Sequence, residues 1–212
     1  MRHIALVIAA ALIACSAAAA SWKEYPQPQL GFVVEFPADP EASAGNYRTT
    51  LVPSTTVHNY SLKEDRALYV ATVVDLPDRK EEGAILLGEA EFNIRQLGDV
   101  ASISMSRVEP GRAAVFGRFI TINCRSGRAG EGNPGQPENA RVWFKNMTGV
   151  DCPDRSRLMA NMFFNRGRLY LIVGINLPST EDDSSGPAAL RFANSISFFA
   201  ADGTRNFADT FK

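Results

Sequence analysis

The chain has 212 residues, with 22 Lys and Arg against 23 Asp and Glu and a formal net charge of −1. That balance excludes general nucleic-acid binding, which needs a strongly basic surface. At 45% hydrophobic and 21% charged residues, the composition belongs to a globular chain with a sizeable core, not to a disordered one.

Residues 1–20 carry the marks of a signal peptide. Arg2 supplies a positive start, residues 4–14 are an unbroken apolar run, and small residues follow up to Ala20. The run is too short to span a bilayer, so no transmembrane segment is expected. Two processing routes share it. Ala18 and Ala20 fit cleavage ahead of Ser21, whereas Leu12-Ile13-Ala14-Cys15 is similar to a bacterial lipobox, in which Cys15 would be lipidated and anchor the chain. Both lead out of the cytoplasm, into the periplasm or onto a membrane as a lipoprotein. Residues 21–212 then make one domain of about 190 residues.

Residues 22–29 read as a proline-rich lead-in. Residues 30–40 hold the first strand: Phe32, Val34 and Phe36 share one face, Gly31 marks the turn before it, and Pro37 closes it. Residues 41–46 read as a polar turn, 47–52 as a strand and 55–62 as another. Residues 67–75 are apolar on both faces, the pattern of a central strand covered on both sides. Asp78 and Glu81 have capping-box spacing, which predicts a helix over 78–97 stopped by Gly98. Its apolar face is Leu86, Ala90, Ile94 and Leu97, widened by Ile85 and Phe92.

Ala101, Ile103 and Met105 alternate with serines as in a half-exposed strand, and residues 113–123 form a long apolar one. Residues 125–139 are rich in glycine and proline and read as an exposed loop. Val142-Trp143-Phe144 reads as a short strand. Residues 158–164 and 169–176 are strands joined by Asn165-Arg166-Gly167-Arg168, a hairpin signal. Pro187 suits the first turn of a short helix carrying Ala189, Phe192, Ala193 and Ile196 on one face. These elements predict an α+β fold, a central antiparallel sheet covered by helices.

Cys124 and Cys152 are the cysteines left after processing, and in an oxidising compartment they are expected to form a disulfide. His58 is the only histidine of the exported chain and no Gly-x-Ser-x-Gly elbow exists, so no catalytic residue set is expected. One histidine and two paired cysteines do not make a metal site, and no cofactor motif is present. Between Arg107 and Arg168 there are eleven basic and five acidic residues, which makes Arg125, Arg128, Arg155 and Arg157 candidates for an anion site. A hydrolase using a carboxylate pair is a further alternative, since such pairs have no sequence signature.

Two segments carry a family resemblance. Trp22-Lys23-Glu24-Tyr25 with residues 30–40, and Arg168-Leu169-Tyr170-Leu171-Ile172-Val173 with Leu190-Arg191-Phe192-Ala193-Asn194-Ser195-Ile196, resemble the opening and closing segments of exported bacterial proteins related to PsbP. The resemblance implies an α-β-α sandwich and a non-enzymatic accessory role, binding a protein or an envelope component. The excursion between Cys124 and Cys152 is not part of that family's pattern.

Overall fold

The computed structural model describes residues 22–49, 51–109, 114–125, 139–178, 186–200 and 203. The segment expected to target the chain, Arg128, most of the expected glycine-rich loop and the expected Pro110-Gly111 turn lie outside them.

The expected helix-covered sandwich is overturned. The described residues form ten strands in two antiparallel sheets, strand makes up 49% of them, and the helices are three and short. The reason lies in segments read as connections. The lead-in is itself a strand, β1 (Lys23–Gln27), which turns through Pro28–Leu30 and the left-handed Gly31 to pair with β2 (Phe32–Phe36). The aromatic strand therefore does not join the main sheet. It builds a small sheet of its own.

The supposed polar turn is β3 (Glu41–Tyr47), paired along its length with β4 (Thr55–Lys63). Among the described residues of the strand expected at 47–52, only Tyr47 belongs to a strand; the Thr49 Oγ1 instead accepts from the amides of Leu51 and Val52. Then come β5 (Ala67–Asp75), α1 (Gly83–Arg95), β6 (Gly98–Val108), β7 (Val115–Cys124), α2 (Ala140–Thr148), β8 (Arg157–Asn165), β9 (Arg168–Asn176), α3 (Gly186–Ala193) and β10 (Ser197–Phe198).

No capping box forms. Pro77 opens a 3-10 turn over Pro77–Glu82, and Arg79 pairs with Glu82 at 2.8 Å instead of leaving Asp78 to cap. Helix α1 ends before Gly98, which is the first residue of β6, not a helix stop. Ile85 and Phe92 lie on its exposed side and do not widen the buried face. The segment read as a strand at 142–144 is α2. Asn139 caps it by accepting from the Val142 amide at 3.0 Å, and Trp143, Phe144 and Met147 are buried from it at helical spacing.

The large sheet has the order β3-β4-β5-β9-β8-β7-β6. Its centre is the β8–β9 hairpin, whose turn residues Arg166 and Gly167 have φ of 53° and 78°, the primed-turn geometry that fits strand twist. Strand β5 pairs with β9 and is buried on both faces, as its unbroken apolar run requires. One face of the sheet meets α1 and α2 in a core that includes Val70, Ile120, Val173, Leu86, Ile94 and Trp143. The other meets the small sheet, ordered β1-β2-β10, and α3, through Tyr69, Tyr170, Phe32, Phe36, Phe192 and Phe198.

Candidate interaction surface

The ends of the large sheet are unlike. At one end α2 is docked over β3. Asn59 on β4 donates to the Met147 carbonyl at 2.8 Å and accepts from Thr72 at 2.8 Å, so two strands and the end of α2 share one buried polar contact. Gly45 on β3 lets the helix come this close: a Cβ there would lie 2.6 Å from the Met147 oxygen and 2.7 Å from that of Asn146. Burial pushes the Tyr47 phenol well above its ordinary range, and the charge of Glu89 adds to the shift.

At the other end the sheet runs out beyond the helices. Directly opposed residues share a face, so the pairs Val100–Ile122, Ile103–Ile120 and Met105–Arg118 place Val100, Ile103 and Met105 on the side where α1 packs. Helix α1 stops short of them. Its last reach is Glu91, which pairs with Arg118 at 3.4 Å and with Arg95 at 3.6 Å. Past that ion pair, Ile103 is 41% exposed, Met105 72% and Phe116 56%. Phe116 lies on the same face, two residues from Arg118, with the Arg107 guanidinium 5.9 Å from its ring centre. Val100 and these three residues make an apolar strip rimmed by Arg107, Arg118 and Glu91. Clustered exposed side chains of this kind mark binding surfaces, whereas single ones do not.

A disulfide joins Cys124 and Cys152, with Cα atoms 6.0 Å apart and both residues buried in the α1/α2 core. Beside it the chain gathers three of the four candidate arginines. The Arg155 amide donates to the Cys124 carbonyl at 3.0 Å, Arg157 opens β8 opposite Asn123, and Arg125 follows the cysteine directly. Arg125 is held by Asp99 at 2.7 Å. Arg128 lies outside the described residues. His58 is exposed on β4 opposite Ala44 and Val73.

A groove of about 240 Å³ lies at the opposite end of β5, bordered by Val52, Thr55, Asp75, Asp78 and Arg79. It is open and smaller than the roughly 300–1,000 Å³ typical of ligand pockets. Asp75 is engaged by Arg168 at 3.3 Å. Among the described residues no group of three or more His, Cys, Asp or Glu is placed to hold a metal ion, and no helix is long and apolar enough to cross a membrane.

Sequence reasoning recognised β6 as a half-exposed strand but missed Phe116 as a surface residue. It sits in an apolar run, and its exposure follows from where α1 stops on the face of the sheet. A scan against protein-family models finds no match to this chain, and a search of curated proteins finds none.

Proposed function

We propose that this is an exported accessory protein of the bacterial cell envelope that acts by binding, not catalysis. Its partner is a protein or envelope component held on the strip of Val100, Ile103, Met105 and Phe116. The observation that carries this reading is the exposure of that strip beyond the reach of α1. The likeness of both chain ends to PsbP-related proteins supports an accessory role. The targeting segment supports the periplasm, either free or tethered through a lipid on Cys15.

The test is crosslinking in the bacterial envelope from a photoreactive residue at position 105. A discrete adduct that disappears with Phe116→Asp, and persists with Ile85→Asp on the far flank of α1, is the expected result. Equal labelling in both variants would refute the reading.

A second reading is favoured by the gathering of Arg125, Arg155 and Arg157 at the disulfide end of the sheet: capture of a small anion. Thermal shift across phosphates, carboxylates and anionic glycans tests it, and a flat response removes it.

A further inference from the structure

Among the described residues, strand β6 is an edge with few of the usual protections. It is eleven residues long, about twice the common strand length, and among the described residues no strand pairs with its outer side. Natural edges are blunted by proline, lysine, inward charges, bulges or a covering helix. The far edge, β3, has α2 docked over it. Residues 98–108 contain no proline and no lysine, and α1 does not reach their end. One bulge interrupts the pairing with β7 near Ala101, and the ladder from Ser102 to Val108 is regular.

The sequence along this edge is self-complementary. Ser102, Ser104 and Ser106 lie on the α3 side, while Ile103 and Met105 lie on the α1 side. An antiparallel register centred on Ile103 or Ser104 keeps faces matched and sets serine against serine and apolar against apolar across the middle of the strand. The only charges on the strand stand near its two ends, Asp99 and Arg107. An antiparallel copy brings the acidic end of one strand toward the basic end of the other, whereas a parallel copy stacks like on like.

We propose that β6 is the contact edge of a two-fold dimer, in which the β6 strands of two copies pair antiparallel and fuse their seven-stranded sheets into one continuous sheet. The pairing uses backbone groups at the strand's outer side and goes beyond the partner-binding reading. With the two-fold axis perpendicular to the sheet, both α1-side faces point the same way. The two apolar strips then adjoin, giving one doubled platform.

Sedimentation velocity of the full folded chain over a concentration series tests this. The wild type is expected to reach the mass of two chains. Ser104→Lys and Ser102→Lys, which set like charges across the axis at exposed positions, are expected to return it to one chain with an unchanged circular dichroism spectrum. Ser104→Ala is expected to stay dimeric. A wild type that is monomeric at every concentration overturns the proposal, as does a dimer that both lysine variants leave intact. A monomer that gains mass only on adding an extended apolar peptide also overturns it, by giving the edge another occupant. The crosslinking at position 105 is read separately, because it scores a different adduct.

Discussion

Phe36→Ala probes the junction between the two sheets. The ring is 1% exposed, lies 4.7 Å from Phe192 and 5.9 Å from Tyr25 between centres, and belongs to the core that holds the small sheet on the large one. Removing the buried ring forfeits about 1.5–3 kcal/mol of transfer energy. Each lost ring pair adds about 0.5–1.5 kcal/mol. Strand β2 is pinned by β1 on one side and β10 on the other, so the site cannot collapse to fill the space. The expected loss is about 3–5 kcal/mol, the usual range for an emptied aromatic site. In a domain of this size that lowers Tm by about 6–20 °C. Urea unfolding followed by fluorescence and circular dichroism measures it, with Phe92→Ala as control. Phe92 is 37% exposed on α1 and its loss is expected to cost under about 1 kcal/mol. Equal losses for the two variants, or a Phe36→Ala loss below about 1 kcal/mol, would refute the assignment of Phe36 to a load-carrying core.

Cys124→Ser is expected to cost about 3–4 kcal/mol under oxidising conditions, from the chain-entropy model applied to the 28-residue separation, and little once reductant is present. Free-thiol titration of the unfolded protein spanning residues 21–212 should find no thiol; two would contradict the pairing. Gly45→Ala is expected to cost at least about 1–3 kcal/mol, because the new methyl meets the Met147 and Asn146 carbonyls, and thermal unfolding will report whether α2 tolerates the shift. Tyr170 donates to the Leu30 carbonyl at 2.8 Å, and burial pushes its phenol up to about 12 despite the opposing charge of Arg168. The folded state thus holds that proton more tightly than the unfolded one. Its contribution of about 2–3 kcal/mol is fully present below about pH 10 and lost as pH rises toward 12. Urea midpoints across that window, alongside phenolate absorbance, check it; a flat profile contradicts it.

What the sequence disclosed depended on how each element hides its apolar side. Strand β5 is buried on both faces and so spells an unbroken run. The β8–β9 hairpin is announced by Gly167, because few residues other than glycine accept a positive φ readily. Strand β2 shows its alternation plainly, yet alternation does not say which sheet a strand joins. Its assignment to a small separate sheet depends on partners at Lys23–Gln27 and Ser197–Phe198, and these are short or contain proline. Strand β3 has almost no β-forming residues, since its role is to sit under α2 with small side chains. Helix α2 misled for the opposite reason. Val142, Trp143 and Phe144 have strong strand preference, and tertiary burial of Trp143, Phe144 and Met147 overrides it. The apolar strip was half legible: Ile103 and Met105 stood out against serines, but an edge is a property of the whole sheet.

The small sheet has a consequence for the order in which the chain can mature. Ser197 and Phe198 pair with Val33 and Phe32, so this sheet draws its strands from stretches far apart in the chain. A polypeptide emerging N-terminus first, from a ribosome or through a translocation channel, presents β1 and β2 with nothing to complete them. Phe192 and Phe198, which fill the space beside Phe36, Tyr69 and Tyr170, come out much later. Closing that span is entropically slow. Until it closes, the aromatic face of the early hairpin is open to chaperones and proteases alike, and that window of vulnerability ends only when β10 arrives.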